Sequence, residues 1–342
     1  MQVLNVQSIK QALSTPRMQS YSNFFLQSQL DGTLPRDKEA IYLQLWSNEV
    51  AESFWRLISF IEISLRNNIH SVLSDDCFLL PKKRVINREN IHNNNYKYMN
   101  VTTVGNNESS NWFEAINFNK KVLQLILDRT HTIKKNGNMF HKSWQTPDDV
   151  IAGLTFGFWR FIFKNLKSAN YNYLDVISKT FKNAPFGGQE IKQSIDFKID
   201  CRLEMIHGIR NRISHHEPVW KLKEMLSESM PTLPNKYRDT LKVKPTNAGD
   251  TFIHLMLYYN QMIEFLYWIN KDLSQSYQTS WWHKRFNFLC SQKGLDYYFK
   301  SYKLPNIISS SVLKREMNKV MRSSQGYHVI NKNREYILTP VK

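Results

Sequence analysis

DKEAIYLQLWSNEVAESFWRLISFIEISLRNNIHSVLS, residues 37–74, decides the class of fold. Phe54, Leu57, Ile58, Ile61, Leu65 and Ile69 recur at steps of three and four. That spacing lays side chains along one face of an α-helix, and an apolar stripe of this kind faces a core. The stretch reads as one bent helix or as two.

The same period continues on either side. A helix from about Val6 to Leu13 precedes Ser14-Thr15-Pro16, a cap followed by proline at a helix start. The helix after it carries Tyr21, Phe24, Phe25 and Leu26. Residues 79–110 break the pattern: HNNNYKYMNVTTVGNN is rich in asparagine and reads as a long loop or insertion with a short hairpin. Helical signal returns over Trp112–Ile133. Thr146-Pro147-Asp148-Asp149 starts another helix, with a capping hydroxyl, proline in the first turn and two acids at the positive end of the dipole. That helix contains LTFGFWRFIF. After Gly187-Gly188 a helix runs from about Glu190 to His216, then an irregular stretch over 221–248, then the apolar helix TFIHLMLYYNQMIEFLYWI at 251–269. Strand patterning is sparse, so the body reads as an all-α bundle.

The chain has 342 residues, 42% of them hydrophobic, enough for one large domain or two ordinary ones. Lys and Arg number 46 against 29 acids, a net charge of +17 that suits a polyanion, either nucleic acid or an acidic membrane surface. From Trp281 to Lys342 there are twelve basic residues and three acids, over half of the excess. The three cysteines are far apart and form no CxxC pair, which argues against a disulfide framework or thiolate zinc site and fits a reducing cytoplasm. The N-terminus has no signal-peptide run. No stretch approaches the ~18 uninterrupted apolar residues of a membrane span.

One helix end concentrates chemistry: GIRNRISHHEPVW, residues 208–220. On a helical projection Ile195, Ile199, Leu203, Ile206, Ile209 and Ile213 form the apolar stripe, and Glu204, Gly208, Asn211 and His215 lie opposite. Gly208 is either tolerated there or lets a ligand or another backbone approach. Arg210 and His215 are about 140° apart on the projection, so they act together only if the guanidinium arm curls round the helix or two copies meet. Histidine titrates near neutrality and serves proton transfer. Arginine holds phosphate oxygens in a rigid fork. Asn211 is one turn from His215 and orients it or donates to phosphate. Such a set suits cleavage of RNA by its own 2′-hydroxyl, leaving a 2′,3′-cyclic phosphate and a 5′-hydroxyl with no metal or cofactor. The spacing alone is a weak signal, and on spacing alone a solvated helix end with a capping histidine is the better account. A zinc site built from His207, His215, His216 and Glu217 is a poor reading, because adjacent histidines project in different directions.

IRNRISHHEPVW resembles the signature of the Abi-like (abortive infection) proteins of the HEPN superfamily. Three further stretches resemble that pattern in the same order: LSTPRMQSYSNFF, LWSNEVAESFWRLISFIEISLRNNIHSVL and DDVIAGLTFGFWRFIF. Together they cover roughly residues 12–270. The resemblance implies a HEPN-type helical bundle and a metal-independent endoribonuclease. It implies a homodimer with a composite cleft, acting in bacterial anti-phage defence or as a toxin. By motif position it places the hallmark on Arg210, Asn211 and His215, with His216 completing the pair. Many relatives carry a basic residue soon after the histidines; this chain has Glu217-Pro218, which puts one phosphate contact in doubt.

The division that follows is an N-terminal helical segment (1–36), a HEPN-like body (37–275) containing the insertion 79–110, and a basic extension (276–342). Glu62, Arg66 and Asn67 are expected in a supporting role behind the catalytic set, with an i,i+4 salt bridge as the plainer reading. Phe156, Phe158 and Trp159 read as core. Arg212, Trp281, Trp282, Lys284 and Arg285 read as RNA contacts, because aromatic and basic side chains interleaved in this way hold single strands; packing of a last helix is the alternative. KREMNKVMRSS, 314–324, reads as a solvated basic helix. The expected partner is RNA, as substrate and also as a guide or antitoxin RNA, in a bacterial cytoplasm. A non-catalytic RNA-binding or nucleotide-binding module is the competing class.

Overall fold

The computed structural model describes residues 5–27, 36–86, 97–133, 139–142, 145–185, 191–228, 238–300, 306–322, 327–332 and 334–338. The chain begins with α1 (Val6–Leu13), α2 (Thr15–Gln27) and α3 (Arg36–Cys77), so the opening stretch is one continuous helix of 42 residues. A hairpin follows, β1 (Lys82–Val85) with β2 (Tyr98–Val101), then α4 (Lys120–Thr130) and a second hairpin, β3 (His131–Ile133) with β4 (Met139–His141). Next come α5 (Pro147–Gly153), α6 (Phe156–Arg160), α7 (Ile162–Ser168), α8 (Tyr173–Thr180) and α9 (Ile191–Ser214). The strands β5 (Met225–Leu226) and β6 (Thr240–Lys242) pair ahead of α10 (Ala248–Ile269), α11 (Lys271–Thr279), α12 (Trp281–Leu289) and α13 (Gln292–Lys300). The chain closes with β7 (Asn306–Ser309), α14 (Ser310–Arg315), α15 (Met317–Arg322), β8 (Tyr327–Asn331) and β9 (Arg334–Leu338).

The fold is predominantly helical, with short strands that the sequence pattern did not announce beyond the first hairpin. The helix start at Thr146 is a full capping box: its side chain accepts from the Asp149 N–H, and the Asp149 carboxylate accepts from the Thr146 N–H at 3.0 Å. The helical reading of Trp112–Ile133 is split into a 3-10 turn over Trp112–Glu114, α4 and the strand β3. The expected Gly187-Gly188 break lies outside the described residues.

The chain forms two compact units. The first comprises Met1–Ile58, Gly208–Glu264 and Leu273–Lys342. Its centre is aromatic. Tyr259 stacks on Phe286 with ring centroids 3.6 Å apart, and Phe54 meets both edge-on. Such pairs contribute about 0.5–1.5 kcal/mol each beyond area burial. The buried Trp46 indole donates to the Leu289 carbonyl at 2.8 Å. The C-terminal segment is not a bare solvated helix. There β7 runs parallel to β8, β8 antiparallel to β9, and Val320, Tyr327 and Val329 form a small apolar cluster against Ile308 and Leu313.

The second unit comprises Ser59–His207 and Phe265–Asp272. Ile61, Leu65, Ile69 and Leu73 of α3 are fully buried in it, as are Phe156, Phe158 and Trp159, which are core side chains as their spacing suggested. LTFGFWRFIF forms two helices, not one; the break falls at Phe161, whose ring is exposed while Arg160 turns inward to an ion pair with Asp200. The end of α3 is closed by the buried Lys82, whose ammonium donates to the Cys77 and Phe78 carbonyls at 2.9 and 3.0 Å. A cation is the favoured group at that negative helix end. Cys77, Cys201 and Cys290 are buried and none is in a disulfide. Among the described residues no helix is long and apolar enough to cross a membrane.

Candidate functional site

α9 behaves as its pattern requires. Ile195, Ile199, Leu203, Ile206 and Ile209 are buried, Ile213 is half-buried, and Glu204, Gly208 and His215 are exposed. A Cβ added at Gly208 would meet nothing within 4 Å. No neighbour in the fold therefore demands a glycine there.

The helix ends in a way the sequence does not advertise. The Glu217 N–H donates to the Arg212 carbonyl at 2.8 Å and the His216 N–H to the Ile213 carbonyl at 3.0 Å. These two bonds are the Schellman closure, which places one residue in the left-handed region. That residue is His216, at φ 54°. Glycine is the usual occupant; a histidine costs on the order of 1 kcal/mol more there. Strain of this kind is tolerated where surrounding structure holds it in place. The holding residues follow Glu217: Pro218, Val219 and Trp220 are buried, and Trp220 packs on Phe24 with ring centroids 4.4 Å apart. His215, His216 and Glu217 thus form an exposed turn pinned by Ile209 on one side and Val219 on the other.

Arg210 is half-buried, and its guanidinium lies over the Trp55 ring at 5.9 Å from the centroid. Trp55 is 41% exposed, leaving an aromatic surface beside a guanidinium; it gives no signal in the sequence because it sits off the stripe of α3. Asn211 is half-buried, and its carbonyl accepts from the His215 N–H at 3.0 Å. Arg212 faces Glu217 at 3.5 Å. Arg210, Asn211, Arg212, His215 and His216 are thereby brought to one helix end in one unit.

The other candidates are placed elsewhere. Glu62, Arg66 and Asn67 belong to the second unit; Glu62 and Arg66 are half-buried, Asn67 is exposed, and Arg66 donates to Asn67 at 3.4 Å. In α12, Trp281 and Lys284 face solvent. Trp281 and Trp282 both receive the Arg56 guanidinium, at 5.7 and 5.6 Å. Arg285 is buried and bonds to the Glu49 carboxylate and the Tyr298 hydroxyl, each at 3.2 Å. Its charge is thus met inside the protein, leaving Trp281 and Lys284 as the outward pair.

A second polar cluster, in the second unit, went unnoticed in the sequence. Glu114 is held by the Asn111 amide at 2.7 Å and flanked by His141 at 3.6 Å and Arg84 at 3.7 Å. Burial alone would raise the Glu114 carboxyl, but the His141 and Asn111 hydrogen bonds and the Arg84 charge outweigh it and hold it below the usual carboxylate range. Burial, helped by the nearby charges of His141 and Arg84, pushes His131 down to about 4. The β3–β4 hairpin sets His131 opposite His141, but nothing local links that pair to Glu114 or to Arg84, which precede His131 by 17 and 47 residues. Among the described residues no group of three His, Cys, Asp or Glu is placed to share a metal ion.

A predominantly helical protein with a histidine pair exposed at a helix terminus, and an arginine and asparagine within the preceding turn and a half, is the class these features define. The Abi-like protein family model matches residues 11–221, more than half of the chain, and the protein belongs to that family. No curated protein and no solved structure matches it.

Proposed function

We propose that this protein is a metal-independent endoribonuclease of HEPN type that cuts single-stranded RNA, in abortive-infection defence or as a toxin. The observation that carries the reading is the pinned His215–His216 turn. An exposed histidine pair whose second member, His216, holds a left-handed backbone is expensive to keep unless the rings meet something from solvent. Membership in the Abi-like family supports a defence or toxin setting.

In this reading His215 handles a proton, taken from the 2′-hydroxyl or given to the leaving 5′-oxygen. Arg210 neutralises the pentacoordinate phosphate, and Trp55 offers its exposed face to a base. Asn211 fixes the His215 backbone and is within reach of the same phosphate. His216 takes the second proton role. Five residues of helix separate Arg210 from His215 by about 7.5 Å along the axis and about 140° around it. A homodimer that sets Arg210 of one copy against His215 of the other answers that separation.

The test is direct. Purified protein is expected to cut single-stranded RNA in EDTA, with 2′,3′-cyclic phosphate and 5′-hydroxyl ends. His215→Ala is expected to abolish cutting while RNA binding persists. If wild type and variant bind alike and neither cuts any RNA offered, the chain is a binding module and the catalytic reading fails.

A further inference from the structure

A cleft of about 740 Å³ opens beside the histidine turn, within the same unit. Arg212 stands on its wall, two residues from Arg210 and three from His215. Lys221 and Lys223 extend the wall along the segment after the turn. There Trp220 and Leu222 are buried while Lys221 and Lys223 are exposed, an alternation that sends both ammonium groups to one side. Lys244 supplies a fourth cation from the segment before α10. Glu224 is the single acid among the described lining residues. Apart from the Arg212–Glu217 contact, the described residues provide no ion pair for these cations; Lys221 bonds instead to the Ser20 hydroxyl at 2.9 Å. Gln19 and Asn23 of α2 add neutral donors.

We infer that this cleft binds the phosphodiester backbone of single-stranded RNA next to the scissile position. The inference rests on the reading of the protein as acting on RNA. Four cations against Glu224 in the lining and Glu217 beside Arg212 leave a local positive excess that suits a polyanion. The hollow is concave and its aromatic residues are floor, not surface, Trp220 being 8% exposed. A bilayer is flat and has nothing to place in such a hollow; a strand does. Cations with no base-stacking surface recognise backbone and not sequence. The cleft would hold on the order of four nucleotides, the lower end for a single-strand groove. It also supplies the basic group that Glu217-Pro218 removes from the turn itself.

The experiment uses the full chain with His215→Ala, so that RNA is not consumed, and a fluorescent single-stranded RNA read by anisotropy across salt concentrations. Lys221→Gln/Lys223→Gln/Lys244→Gln is expected to weaken binding about ten-fold and to lower the salt slope by about 0.7 for each phosphate left without its cation. Lys223→Gln/Lys244→Gln, which spares the Ser20 bond, should show about two thirds of the change in slope. A control pair, Lys314→Gln/Lys319→Gln, should bind within two-fold of the parent. Unchanged affinity and slope in both cleft variants overturns the inference, as does competition by polyglutamate as effective as unlabelled RNA. The same substitutions in the otherwise unmodified chain separate the two readings. If that chain never cuts yet the cleft variants lose binding, the cleft stands and the ribonuclease falls. If it cuts and the cleft variants bind and cut normally, the cleft falls alone.

Discussion

Two helix ends in this protein carry histidines, and they put them to opposite uses. α4 ends at Thr130 and passes into β3 with His131 at φ −127°, an extended exit that lays the ring inside. Thr130 meets its Nδ1 at 2.7 Å, and His141 stands opposite in register with the rings 5.2 Å apart. α9 ends at Ser214 and leaves through the left-handed His216, an exit that reverses the chain and leaves both rings in solvent. Residue type and helix position are alike at the two ends; the backbone dihedral after the last turn decides whether a histidine becomes a neutral buried strut or a group that can meet a substrate. Counting histidines in a sequence therefore ranks nothing until the exit from the helix is known.

The largest expected effect is a double dissociation between those ends. His215→Ala should lower RNA cleavage about 10³-fold, the range a proton-transfer group contributes, with urea unfolding unchanged. His131→Ala should leave cleavage per folded molecule within two-fold and lower stability by roughly 2–3 kcal/mol, because it empties a buried position and strips Thr130 and His141 of a partner. Cleavage that tracks His131 instead of His215 would invert the comparison.

Next in size is the carboxylate that holds the buried end together. Glu114→Ala leaves the Arg84 and His141 groups facing one another without their counter-charge. Removing the carboxylate from this partly buried cluster costs about 1–3 kcal/mol. The urea midpoint should drop accordingly, while RNA binding by the surviving folded protein stays as it was. Glu114→Gln should recover part of the loss, since the amide keeps the hydrogen bond with Asn111 but not the charge.

Acid then probes the buried end without mutation. Burial drives His131 down to about 4 from an ordinary value of 6.5, and lowers His70 as well, against the pull of Asp148. Both rings bind a proton more readily in the unfolded chain than in the folded one. Their contribution is thus complete above pH 6.5 and is lost as pH falls from there towards 4. Unfolding free energy should decline by about 3 kcal/mol across that window, and His131→Gln should flatten the decline. A flat profile in the wild type would mean that the buried rings are not held neutral.

How far the sequence anticipated these ends differs between them. Three- and four-residue periodicity placed α1, α3, α9 and α10 within a few residues, and Thr146 was legible because a capping box is a local signal spanning four positions. The α9 site was legible for the same reason: Arg210, Asn211, His215 and His216 lie within seven residues. Local signals fail where partners are distant. The cluster at Glu114 draws on residues from 84 to 141, and Lys244 joins Lys221 and Lys223 only after a fold brings two segments together. The β7–β8–β9 sheet was hidden for a related reason. Its parallel pair requires a helical crossover between the strands, and the charge count of the segment drew notice away from the alternation in Tyr327 and Val329. Trp55 was missed because an apolar residue off the stripe gives no periodic signal at all.

The smallest expected effect is the sharpest, because its sign is unusual. His216→Gly removes a side chain from a left-handed position that favours glycine. Relief of the backbone is worth about 1–2 kcal/mol, and the greater freedom of glycine in the unfolded chain gives back part of it. A net gain of about 0.5–1 kcal/mol in urea unfolding is expected, with cleavage reduced at least ten-fold. His216→Ala keeps the strain and loses the ring, so it should cut no better than His216→Gly and be no more stable than the wild type. A helix end selected for stability alone would already carry glycine. Gain of stability together with loss of cutting is what a functional histidine at that position demands; gain of stability with cutting intact would reduce His216 to an ornament and leave His215 to serve by itself.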